Sequence, residues 1–308
     1  MPCQMFILEQ LLNGLQLGVM LFLMSAGLTL VFGIMRVINL AHGSFYMLGA
    51  YVAATVTMHS GSFLLGMLAA LPAAGLAGIL VELIVLRRLY QRDHLDQVLA
   101  TFGLIFFFNE LTRMIWGRQP LFMEVPSWLA GSVELLPGIR YPVYRLAILL
   151  VGVVVALFLY LLFSRTRLGM RIRAGATNRE TVAALGVNIR LLYTLVFGLG
   201  TMLAGLAGMM AGPILAVEAG MGDSILILTF VVIVIGGIGS VRGALVGAIL
   251  VGLVDTLARA FLPGLLRLVL TTAAADRAGA AIASMSVYIF MALFLALRPA
   301  GLFPVSES

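Results

Sequence analysis

The sequence predicts an all-α polytopic membrane protein: a bundle of about eight or nine membrane segments, some short or broken, with a short helix lying on one surface. Three observations carry this. Of the 308 residues, 62% are hydrophobic and 10% charged, and the mean hydropathy is +1.13, whereas a soluble domain carries about 25% charged residues. Apolar stretches close to the roughly 20 residues of a bilayer-spanning helix recur along the chain, without the alternating segments of about 10 residues that mark a β-barrel. The net charge of +6 and the pI near 10.0 come from arginines set beside apolar runs, where they act as topology signals and attract anionic membrane lipid. No nucleic-acid partner is implied.

The apolar runs, in order, are 10–34, 40–58, 63–86, 97–117, 142–163, 190–212, 224–238, 243–262 and 280–297. Before the first, "MPCQMFILEQLLNG" has no basic leader and carries Glu9, so this span is expected to stay in the mature protein rather than act as a cleaved signal. The second opens on "NLAHGSFYMLGAYVAA" (39–54), a polar, glycine-containing turn before a short apolar run. Arg87, Arg88 and Arg92 follow the third run, and an arginine-rich island follows the fifth; both segments, 87–96 and 165–190, are therefore expected in the cytoplasm. Residues 118–141, with Pro120, Pro126, Pro137, Glu124 and Glu134, then form an external loop. The N-terminus is expected outside and, if all the runs cross, the chain after Arg298 inside. The seventh run, in "SILILTFVVIVIGGIG", is short enough to be re-entrant or broken, and it decides the side of everything after it. Residues 1–308 are expected to form a single transmembrane domain.

Small residues punctuate "GLGTMLAGLAGMMAG" (198–212) and "GALVGAILVGLVD" (243–255) at the spacing that lets helix backbones approach closely in lipid. Gly43-Ser44 and Gly239-Ser240, each followed by Gly-Ala, suggest an internal duplication; in a glycine- and alanine-rich chain chance explains them better.

The island, "RTRLGMRIRAGATNRETVAALGVN" (165–188), gathers Arg165, Arg167, Arg171, Arg173 and Arg179. Thr177-Asn178-Arg179-Glu180 matches a capping box, with the threonine as cap, and Gly186 suits the left-handed position after a helix. A helix of about eight residues, near 12 Å long, is too short to cross a membrane. Val182 and Leu185 share one face, and Arg179 and Glu180 project elsewhere. Such a helix either covers the end of the bundle or forms a rigid knob that receives force from a soluble motor.

Several enzymatic chemistries are excluded. Cys3 is the single cysteine, so neither a disulfide nor a thiolate metal site forms within the chain. All the basic side chains other than histidine are arginine; without lysine no phosphate-binding Gly-x-x-x-x-Gly-Lys loop exists, so energy must come from a partner or an ion gradient. An ion-coupled carrier is expected to hold a lone acid deep in the bundle. Here Glu110 lies three before Arg113, Asp255 four before Arg259, and Glu82 close to Arg87 and Arg88, so each has a local partner. His42 and Ser44, two residues apart, do not face one another as a catalytic base and nucleophile would; they fit a polar turn at a span boundary. No cofactor and no metal are called for.

Taken together, "GLTLVFGIMRVINLAHGSFYMLGAYVA" (27–53), the island, "GLAGMMAGPI" (205–214), "GGIGSVRGALVGAILVG" (236–252) and "LRPAGLF" (297–303) resemble the branched-chain amino acid ABC permeases, specifically the H-type subunit. The matches run in family order over almost the whole chain; urea and short-chain amide permeases share much of the pattern. The resemblance implies a bacterial inner-membrane importer subunit that works with a second permease subunit, two cytosolic ABC ATPases and a periplasmic substrate-binding protein. It implies that Asn178, Arg179, Glu180, Val182, Leu185 and Gly186 form the coupling helix seated in an ATPase groove, although Thr181 replaces the alanine usual at that place. For such an importer, Asn39, His42, Ser44, Thr101 and Asn109 are the candidate translocation-pathway residues. The alternatives are a urea or amide permease and an ion-coupled amino acid carrier.

Overall fold

The computed structural model describes residues 2–136 and 138–303. Met1, Pro137, residues 304–308 and the side chains of Pro2, Cys3 and Leu136 lie outside the described residues.

Each of the apolar runs is a helix. They are α1 (Pro2–Met35), α2 (His42–Ser60), α3 (Phe63–Val81), α5 (His94–Trp116), α6 (Val143–Arg165), α9 (Ile189–Ala211), α10 (Met221–Gly236), α11 (Val241–Leu266) and α12 (Thr272–Leu297). Helix α3 continues through a π-helical turn, Glu82–Leu86, into the short α4 (Arg87–Leu89). Among the described residues, seven helices are long and apolar enough to span a bilayer. The other two are α2 and the 16-residue α10, which at 1.5 Å per residue is about 24 Å long, less than the roughly 30 Å hydrocarbon core. The bundle thus combines long spans with short elements, as the glycine-rich breaks before α2 and after α10 predict.

Helices α1, α2 and α9 form the buried centre, with α11 packed along α1. Their mutual approach depends on glycine at the crossings: a Cβ on Gly49 would collide with the backbone of Gly205, one on Gly208 with Tyr46, and one on Gly252 with Gly14 and Gly18. Close backbone contact is how helices associate where lipid removes the hydrophobic drive between them. Large apolar side chains such as Phe102, Phe106, Leu150, Val153 and Leu293 instead point outward from α5, α6 and α12, the pattern of a lipid-facing rim.

The bundle has two distinct ends. At one, Arg87 at the start of α4 and Thr194 in the first turns of α9 are 2.9 Å apart, and His94, Ala176 and Pro299 line a common cavity, so the segments 87–96, 165–190 and 297–303 lie together. At the other, Ser132–Leu136 (β1) pairs antiparallel with Ile139–Pro142 (β2), and Leu121 pairs with Val217. The stretch 118–141, expected as a loop, therefore contains a hairpin and a single 3-10 turn at Ser127–Leu129.

The two Gly-Ser steps play different structural roles. Ser240 caps α11, accepting from the Gly243 amide at 3.1 Å, whereas Ser44 lies inside the first turn of α2.

Candidate functional site

The island folds into two helices rather than one. Helix α7 (Arg167–Thr177) begins with Thr166 accepting from the Gly169 amide at 3.0 Å. Gly169, Ile172 and Gly175, three apart, are its buried face, and its arginines occupy the rest. The following helix, α8, is Arg179–Ala184, six residues, so it is shorter than the expected span from Asn178 to Leu185. Its cap also sits one residue later than the capping box predicts: the Asn178 carboxamide oxygen accepts from the Thr181 amide at 3.0 Å, while the Thr177 hydroxyl donates back to the Arg173 carbonyl at 3.1 Å and closes α7. Both residues are good cap formers, and the preceding helix claims the threonine. Gly186 is left-handed at φ +84°. Its amide reaches Ala183 O, and that of Val187 reaches Val182 O, the paired bonds of a Schellman end.

The pairing of Val182 with Leu185 as one accessible face does not hold. Val182 is 7% exposed and packs into the protein, whereas Leu185 is 78% exposed. Arg179 and Glu180 are exposed with Leu185, so α8 presents a mixed apolar and charged surface outward and uses Val182 as its anchor.

At the same end of the bundle, the π-turn after α3 holds a buried carboxylate. Glu82 is 0% exposed. It accepts from Arg87 Nε and Nη2 at 3.3 and 3.1 Å, from the Tyr90 hydroxyl at 2.6 Å and from the Thr194 hydroxyl at 2.7 Å. Burial, then the bond to Glu82, pushes the Tyr90 hydroxyl well above the ordinary phenol range, keeping it a donor. The sequence pairs Glu82 with Arg87; it does not reveal Thr194, which is 112 positions away.

The polar residues around the start of α2 lie deep in the bundle. A Cβ on Gly27 would stand 3.1 Å from the His42 imidazole, and Gly27 is eight residues, about 12 Å, inside the end of α1. The chain therefore turns back into the bundle after Arg36, a non-glycine residue at φ +53°, and α2 starts there. Asn39 acts as expected of a turn, accepting from the Ala41 amide at 3.1 Å. The side chains of His42 and Ser44 are helical rather than in the turn, wholly or almost wholly buried, and without hydrogen-bond partners among the described residues. Thr101 joins this group, donating to its own helix at Gln97 O, 2.9 Å, with Ile38 O at 3.4 Å.

Asn109 lies apart from these four. Its amide is 3.5 Å from the Asp223 carboxylate, seven residues, about 10 Å, before the end of α5. Asp223 has no arginine three or four positions away; in the first turn of α10 it is exposed and forms no ion pair among the described residues. The other acids pair as the spacing predicts, Glu110 with Arg113 and Asp255 with Arg259 at 2.8 Å. No group of three or more potential metal ligands occurs among the described residues.

Residues 10–298 match the family described as "Branched-chain amino acid transport system / permease component". The chain is 29% identical to the high-affinity branched-chain amino acid transport system permease protein LivH of Salmonella typhimurium, over 84% of this chain and 88% of that protein. It is 31% identical to the corresponding protein BraD of Pseudomonas aeruginosa, over 80% and 85%, and 27% identical to the ribose import permease protein RbsC of Escherichia coli, over 81% and 78%. No solved structure matches. The chain thus belongs to the branched-chain amino acid transport permease family, as an integral inner-membrane permease component of an ABC-type importer.

Proposed function

We propose that this chain, paired with a second permease, carries branched-chain amino acids inward, driven by two cytosolic ATPases and supplied by a periplasmic binding protein. The observation that carries the motor half of this reading is α8: a capped, six-residue helix between α7 and the long α9, anchored by Val182 and displaying Arg179, Glu180 and Leu185. The substrate half rests on the names of the relatives. Arginines crowd the end that holds 87–96 and 165–190, which supports a cytoplasmic position for it and an external one for 118–141.

For the pathway, the unpartnered side chains of His42 and Ser44 and the Asn109–Asp223 pair are the best candidates. Buried polar groups without partners are costly, and a carboxylate facing hydrocarbon costs about 2.5–3.5 kcal/mol on insertion scales. Both are relieved where a water-filled path or the second permease meets them.

Asp223 also favours a second reading, an ion-coupled carrier, because it is an intramembrane acid without an arginine. Reconstitution separates the two. Vesicles holding both permeases and the ATPases should take up leucine only with ATP and the binding protein. Leucine accumulation by this chain alone under a proton or sodium gradient would favour the carrier instead.

A further inference from the structure

At the island end, a cleft of about 540 Å³ opens between α1, α6, α7 and the start of α11. On α1 it is lined from Phe22 to Ile34, twelve residues apart, so it runs about 18 Å along that helix, roughly the depth of one leaflet of a 30 Å core. Its walls are mostly apolar, Leu159 and Leu245 among them, with hydroxyls from Thr29, Tyr160, Ser164, Thr177 and Ser240, and the only charged lining residues among the described residues are Arg173 from α7 and Arg242 from α11.

Neither arginine has a carboxylate partner among the described residues. Arg173 is held in place through one nitrogen, which donates to the Phe163 carbonyl, leaving its other donors free. Two cations above an apolar slot match a molecule with a phosphate at one end and a hydrocarbon chain at the other. A free amino acid does not fit this charge pattern, because its ammonium group would face cations only.

We propose that this cleft binds an anionic phospholipid, with the phosphate between Arg173 and Arg242 and one acyl chain lying along α1. Bound there, the lipid joins α7 to α1 and α11 and so steadies the island. This inference does not depend on what α8 docks against.

The test uses the full chain, with a Leu245→Trp probe in the cleft, in bilayers containing brominated phosphatidylglycerol or brominated phosphatidylcholine. Emission from the wild-type chain under the same conditions is subtracted, because Trp116 and Trp128 also emit and neither lines the cleft. The probe should be quenched by the anionic lipid at about thirtyfold lower mole fraction than by the zwitterionic one, from about 1 kcal/mol for each of the two arginines at the membrane surface. Arg173→Gln with Arg242→Gln should abolish the preference, and Arg118→Gln with Arg140→Gln, at the opposite end, should leave it intact. Equal quenching by both lipids, or a preference that survives loss of Arg173 and Arg242, would overturn the proposal. If the double variant does not accumulate, the comparison of the two lipids in the probe variant alone still decides it.

Discussion

The Thr194 hydroxyl donates to the Glu82 carboxylate at 2.7 Å, joining the π-turn after α3 to the first turns of α9, directly after α8. A π-turn of this kind is an interruption that often marks a working part of a helix. Here it turns a glutamate inward, where Arg87, Tyr90 and Thr194 satisfy it together. The joint thus ties the end of α3 to α9, the helix that follows α8 in the chain.

Removing one donor should therefore be felt as stability. Tyr90→Phe should cost about 1.5–3 kcal/mol, the range for a hydrogen bond to a charged group. Glu82→Ala should cost about 3–5 kcal/mol, because it leaves buried donors without their acceptor, with the lower figure favoured since Arg87 is one-third exposed. Chemical unfolding in detergent measures both. A Tyr90→Phe chain as stable as its parent would mean that the joint carries no load.

The cap assignment makes a second prediction. Asn178→Ala should destabilise α8 by about 1 kcal/mol, seen as faster amide hydrogen exchange over 179–185. Thr177→Ala should leave that exchange nearly unchanged, since its hydroxyl serves the end of α7. The reverse ranking would restore the threonine as the cap.

Glycines should divide by what surrounds them. Gly49→Ala forces a Cβ into the Gly205 backbone and should prevent accumulation of the folded chain. Gly103, exposed within α5 with nothing within 4 Å of an added Cβ, should accept alanine and gain up to about 1 kcal/mol of helix propensity. Quantifying folded protein by size-exclusion chromatography compares the two; equal yields would remove the packing role assigned to Gly49.

Much of this architecture is legible in the sequence because lipid makes the pattern simple: long apolar runs become spans, and short ones broken elements. What is hidden depends on chain separation or on competition between neighbours. Asn109 and Asp223 are 114 positions apart, so nothing local indicates their meeting. Helix α7 is masked by its arginines, although Gly169, Ile172 and Gly175 already trace a face of small and apolar residues three apart. Val182 and Leu185 share a face by helical geometry, yet the packing of α8 against its neighbours separates them into anchor and exposed surface.

The measurement that most directly tests the coupling role is disulfide or bifunctional cross-linking between α8 and a cysteine in the ATPase groove, in the assembled transporter with Cys3 replaced. A cysteine at position 185 should cross-link, more strongly in one nucleotide state than another, while one at the buried position 182 should not. No cross-link from position 185 or 179, together with ATPase cross-linking from the exposed Val133 position in the hairpin at the opposite end, would contradict both the role of α8 and the orientation of the bundle.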